Sequence, residues 1–148
     1  MFRSLMLVLL LFVPGATLLA AEPAVYTSTF SSTAAGGYDV VAYFTERKPV
    51  EGTSTYSTEY NGATWQFASA DNLARFEADP EKFAPAYGGY CAWAVSQGYL
   101  AKGSPEYWTV IDGRLYLNYN QAVQNDWLKD TGGFIKMAEK EWPTVLNQ

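Results

Sequence analysis

Histidine is absent from this chain of 148 residues, and that absence removes more chemistry than any other feature of its composition. Without imidazole there is no Ser-His-Asp or Cys-His catalysis, no HExxH zinc site and no His-ligated haem or copper. Cysteine occurs once, as Cys91. A single thiol makes no internal disulfide, no CxxC redox pair and no four-cysteine zinc site. Of the three methionines, Met1 and Met6 fall in the first stretch, so Met137 stands alone and no methionine-rich copper site can form. Basic residues number 10 against 15 acidic ones, for a net charge of −5. That balance argues against nucleic acid and anionic membrane surfaces as partners, since both need a basic footprint. Gly88-Gly89 lacks the context of a phosphate loop. Asp39, Asp112, Asp126 and Asp130 lack EF-hand spacing, and a cap, turn or solvated face explains each. With neither histidine nor a paired nucleophile, the expectation is a protein that is not an enzyme.

What is present is apolar and aromatic. Hydrophobic residues make up 49% and aromatic residues 16%, enough for a folded core. Arg3, the apolar run Leu5–Val13, the break at Pro14-Gly15 and the small residues Ala20 and Ala21 read as a secretory signal over residues 1–21. The apolar run is far shorter than the roughly 20 residues of a membrane span. The expected location is therefore periplasmic or secreted, with no stable membrane span after cleavage. Residues 22–36, rich in Ser, Thr, Ala and Gly, read as a flexible lead-in, and residues 37–146 as one domain.

Within that domain, Tyr38–Phe44 reads as a turn or two of helix capped by Asp39. A hairpin follows, turning at Asn61-Gly62, then a helix capped by Ser69 that carries Leu73 and Phe76. After a short turn at Phe83 comes the aromatic, glycine-containing stretch Tyr87–Val95. A short helix over Ala92–Val95 should close at Gly98. A second hairpin runs from Trp108 through Asp112-Gly113 to Leu117, and Asn120 caps a helix bearing Val123 and Trp127. A last helix is expected after Gly132-Gly133, with Ile135, Ala138 and Trp142 on one face and Pro143 as its stop. An offset of 51 superimposes turn on turn, Trp65 on Tyr116 and Ser69 on Asn120. Either the chain contains a structural repeat or a common ββα succession occurs twice by chance. The predicted class is α+β: two β-hairpins each followed by a helix, in a small single domain with short extra helices.

The run Tyr60-Asn61-Gly62-Ala63-Thr64-Trp65-Gln66-Phe67-Ala68-Ser69, followed by Leu73, Phe76 and Asp79-Pro80-Glu81-Lys82-Phe83, resembles the YHS domain. The segments Gly37–Phe44, Tyr87–Ala92 and Leu115–Asn120 look like its secreted, stand-alone bacterial branch, and the resemblance spans roughly Gly36 to Trp142. It implies an association with metal handling. Cysteine-bearing members of the family place thiols where this chain has Ala68 and Asn72, and the name-giving histidine has no counterpart here. The resemblance therefore transfers the fold more fully than the metal chemistry.

Two candidate sites follow. Cys91 could present a thiolate to a soft metal ion such as copper, or form a mixed disulfide; equally, a free cysteine of this kind can be a small buried apolar residue. The rings of Tyr38, Tyr43, Tyr87, Tyr90 and Trp93, with Tyr99, Tyr116 and Tyr119 further along, could line an amphipathic pocket or simply fill the core. The expected function is a non-enzymatic binding domain for a small ligand or a metal ion, with Tyr87–Trp93 as contact region. The alternative is an interaction or scaffold module, its partner another periplasmic protein and Cys91 purely structural.

Overall fold

The computed structural model describes residues 20–148. The predicted signal, residues 1–21, lies outside the described residues except for its last two, Ala20 and Ala21, which are exposed. Among the described residues no helix is long and apolar enough to cross a membrane.

The first unit comprises α1 (Ala42–Thr45), the hairpin β1 (Thr53–Tyr60) and β2 (Ala63–Phe67), α2 (Ala70–Ala78) and α3 (Pro80–Phe83). The second comprises α4 (Ala92–Ser96), β3 (Ser104–Ile111), β4 (Arg114–Asn118), α5 (Gln121–Lys129) and α6 (Thr131–Glu141). From the hairpin onward the elements start at Thr53 and Ser104, Ala63 and Arg114, Ala70 and Gln121, Pro80 and Thr131, each pair 51 residues apart. The details repeat too. Both hairpins are antiparallel, and both slip register at the same place, between Thr53 and Ser57 and between Ser104 and Trp108. The second lead strand starts at Ser104, four residues before the Trp108 at which the sequence places it, because pairing resumes across the bulge. Ser69 accepts from Asn72 N, and Asn120 from Val123 N. Asp79 accepts from Lys82 N, and Asp130 from Gly133 N. Chance does not reproduce a bulge and two caps, so the repeat is real.

Asp130 also moves one expected boundary. The last helix begins at Thr131, with Gly132 and Gly133 inside its first turn rather than ahead of it. A Cβ on Gly133 would overlap the Asp130 carboxylate, so the cap itself requires glycine there.

The hairpins form separate two-stranded sheets, and the strand that joins the two cores is β4. Leu115 and Leu117 point into a core built on Trp65, Phe67, Phe76, Val40, Val41 and Tyr43. Tyr116, between them, points the other way, into a core with Tyr87, Tyr90, Val95, Trp127 and Ala138. The period of two along a strand produces this division. All four residues Leu115–Asn118 are buried, whereas β2 buries only Ala63, Trp65 and Phe67.

Residues 22–36, read as a flexible lead-in, are stitched into this arrangement. Glu22 N donates to Leu146 O at 2.7 Å, Tyr26 N to Gly88 O at 2.9 Å, and Ala34 N to Thr64 O at 2.9 Å. Val25, Ala34 and Ala35 are buried in the first core. Gly88 makes the closest of these approaches possible. Its φ is +62°, and a Cβ there would collide with the Ala24 carbonyl. The backbone that approaches Gly88 this closely is the chain's own N-terminal segment.

Candidate functional site

The stretch Tyr87–Val95 enters through a left-handed turn, with positive φ at Tyr87, Gly88 and Gly89, and then becomes α4. Cys91 sits immediately before α4, 1% exposed, and forms a parallel bridge with Leu117 of β4. Its N–H donates to Ala101 O at 2.8 Å. The thiol donates to Asn118 Oδ1 at 3.7 Å, and Trp93 N donates to the same oxygen at 3.4 Å. Burial pushes the Cys91 thiol up from its ordinary value. The backbone N–H groups of Ala94, Tyr119 and Trp93, which face the sulfur, pull the other way without cancelling that shift. The thiol is therefore protonated at neutral pH.

Beside Cys91 lies an apolar pocket of about 220 Å³. Its floor is Cys91 and Ala94, its walls Trp93, Tyr99 and Tyr119, and Val123 of α5 closes the far side with Ala101. Trp93 and Tyr99 meet edge to face with centroids 6.4 Å apart. Lys102 Nζ stands 5.5 Å from the Tyr119 ring, a cation–π contact at the rim. Tyr99 and Tyr119 are 48% and 44% exposed, so the pocket opens between two half-exposed rings.

Of the nine ring and thiol residues proposed from the sequence, the structure brings Cys91, Trp93, Tyr99 and Tyr119 to this pocket and places the other five elsewhere, Tyr116 in the second core. Tyr43 is fully buried in the first core, packs on Trp108 at 5.1 Å and donates its hydroxyl to Pro105 O at 2.7 Å. Tyr87 belongs to the second core and donates to Glu139 Oε1 at 3.3 Å. Tyr90 donates to Pro23 O at 2.9 Å and meets Tyr26 edge to face. Tyr38 is half-buried and bridges to Glu51. These rings secure the lead-in and the cores, the ordinary work of tyrosine in a small domain. Asn118 and Val123 were not singled out as site residues. The repeat offered the missing signal, because it maps them onto Phe67 and Asn72, where residue character changes sharply.

The soft-metal reading of Cys91 does not fit this arrangement. Among the described residues no group of three or more His, Cys, Asp or Glu is placed to hold a metal ion. Three backbone N–H groups face the sulfur beside the Asn118 Oδ1 acceptor, and their positive ends favour an anion over a bound cation.

The family model described as YHS domain matches residues 41–87. It covers the first unit and stops short of Cys91, a narrower span than the resemblance read from the sequence. No curated protein and no solved structure matches the chain.

Proposed function

We propose, taking residues 41–87 as a YHS domain, that this chain is a non-enzymatic binding domain whose second unit receives a small, single-ring organic ligand. It acts outside the cytoplasm, in the secreted, stand-alone branch of bacterial YHS proteins, delivered by the N-terminal leader. The pocket beside Cys91 carries this reading: it is concave, almost wholly apolar in its lining residues, and walled by Trp93, Tyr99 and Tyr119. At about 220 Å³ it is smaller than the roughly 300–1,000 Å³ of drug-sized sites, which limits the occupant to about one ring. YHS domains are associated with copper-related metal handling; that role is not assigned to Cys91, a lone thiol faced by three backbone N–H groups. A second reading, an interaction module with a structural Cys91, draws support from the exposed rings of Tyr99 and Tyr119 at the pocket mouth.

The test is amide NMR of the protein titrated with indole and with phenol. Shift changes should centre on Trp93, Ala101 and Tyr119 and vanish in Val123→Trp, which fills the pocket. Changes scattered over the surface, or unaffected by Val123→Trp, would sink the proposal.

A further inference from the structure

The two units differ most where their backbones agree best. Ahead of each hairpin the chain makes the same left-handed turn, with φ of 50°, 60° and 84° at Ala35, Gly36 and Gly37, and 56°, 62° and 84° at Tyr87, Gly88 and Gly89. Tyr38 and Tyr90 then bridge to Glu51 and Lys102. Asp39 N and Cys91 N donate to Val50 O and Ala101 O, each at 2.8 Å. Asp39 and Cys91 therefore occupy the same position of the two units. Val41 corresponds to Trp93, Ala42 to Ala94, Ala68 to Tyr119 and Asn72 to Val123.

In the first unit this position holds an anion. The buried Asp39 carboxylate accepts from Val41 N at 2.9 Å, Ala42 N at 3.3 Å, Ala68 N at 2.9 Å and Asn72 Nδ2 at 2.7 Å. In the second unit the corresponding N–H groups of Trp93, Ala94 and Tyr119 converge on Cys91 Sγ. A neutral thiol is a weak acceptor, and Asn118 Oδ1 takes over part of the work by accepting from Trp93 N. The same carboxamide, fully buried and turned onto the sulfur, leaves its Nδ2 with no partner. A buried orphan donor is costly. The cradle inherited from the first unit and the orphan amide both call for an anionic acceptor at this sulfur.

We propose that Cys91 is an oxidation site whose stable product is cysteine sulfinate, seated as the counterpart of the Asp39 carboxylate. The oxidant is a small hydroperoxide such as hydrogen peroxide, reaching the sulfur through the adjoining pocket. In the first step the sulfur attacks one peroxide oxygen and the O–O bond breaks. The thiol proton joins the departing hydroxide as water, leaving sulfenic acid, with sulfur oxidised by two electrons and the peroxide reduced by two. A second peroxide repeats the transfer, releases a second water and yields the sulfinic acid, which ionises. One sulfinate oxygen then accepts from Trp93 and Ala94 and the other from Tyr119, while the Asn118 amide turns its Nδ2 toward the group. The protonated state of the thiol makes the first step slow at neutral pH and faster in alkali. The proposal does not rest on a binding role for the neighbouring pocket, and a ligand seated there would slow the oxidation by shielding the sulfur.

Two measurements test it. The folded full-length protein is treated with excess hydrogen peroxide, and peptide mapping separates Cys91 from oxidised Met137. Cys91 should gain about 32 Da, the mass of two oxygens, and the product should melt no lower than the reduced protein. A Cys91 that stays unmodified until the protein is denatured, or that runs on to sulfonate, overturns the proposal. In the second measurement, Cys91→Asp should melt above Cys91→Asn at neutral pH, because the carboxylate pairs with the cradle and the neutral amide points donors at donors. The reverse order overturns the proposal, and the peroxide experiment remains decisive if neither variant folds.

Discussion

Replacing Asp39 tests directly how the first unit is held together. The residue is fully buried with no cation as partner among the described residues, and four donors converge on its two oxygens. These bonds tie the start of α1 to the residue after β2 and to α2, so three separate chain segments meet at one carboxylate. Asp39→Ala would strand all four donors. Each buried unsatisfied donor costs about 1–3 kcal/mol. The penalties do not add fully, since Asn72 is 8% exposed and can turn outward and water can enter the vacated space. A loss of about 3–5 kcal/mol is the expected total, in the range of breaking a buried charged network. Asp39→Asn is the sharper perturbation, because it keeps the volume and removes only acceptor capacity. Its carbonyl still serves Val41 and Ala42, but its amide faces Ala68 N and Asn72 Nδ2, donor against donor, at a cost of about 2–4 kcal/mol. Urea denaturation monitored by tryptophan fluorescence reads both variants. With a slope of about 1–3 kcal/mol per M, Asp39→Asn should lower the midpoint by about 1 M or more. A midpoint within about 0.3 M of the parent, at unchanged slope, would show that the carboxylate is not the organising acceptor described here.

Two further outcomes follow from packing and burial. Gly88→Ala drives a methyl into the Ala24 carbonyl at a positive φ, so residues 22–26 should detach and become cleavable by added protease; an intact lead-in would refute that contact. Burial, with Glu139 beside Tyr87, holds the phenols of Tyr43 and Tyr87 above their ordinary range, and burial pushes Tyr90 up to about 12. The folded state therefore keeps protons that the unfolded chain releases near about pH 10. Stability from this source is intact below that pH and is lost progressively as pH rises from there through the raised folded-state values. Tyrosinate absorbance should show the Tyr43, Tyr87 and Tyr90 phenols ionising together on cooperative alkaline unfolding; one smooth titration of all eleven tyrosines would contradict it.

Much of the fold was legible because local chemistry set it. Asn61-Gly62 and Asp112-Gly113 specify hairpin turns, and Ser69 and Asn120 specify caps, through interactions within a few residues. The structure places all four where the sequence puts them. The destinations of the tyrosines were not legible, because partners such as Pro23 for Tyr90 and Pro105 for Tyr43 lie more than sixty residues away. The match of Cys91 to Asp39 was hidden for a smaller reason. The loop from that position to the hairpin is one residue shorter in the second unit, so a constant offset pairs Asp39 with Tyr90 instead. The bulges and the double burial of β4 likewise depend on which faces the completed cores present.

The double burial of β4 bears on how the molecule unfolds. Leu115 and Leu117 complete a core belonging to the first half of the chain, while Tyr116 completes the other. Ending the chain near Tyr87, at the close of the YHS match, would strip that first core of two fully buried leucines. Burying each such leucine contributes about 1.5–3 kcal/mol, a large share of the roughly 5–15 kcal/mol that stabilises a typical domain. The duplicated units, joined through one strand, should therefore unfold in a single transition, read as one calorimetric endotherm rather than two.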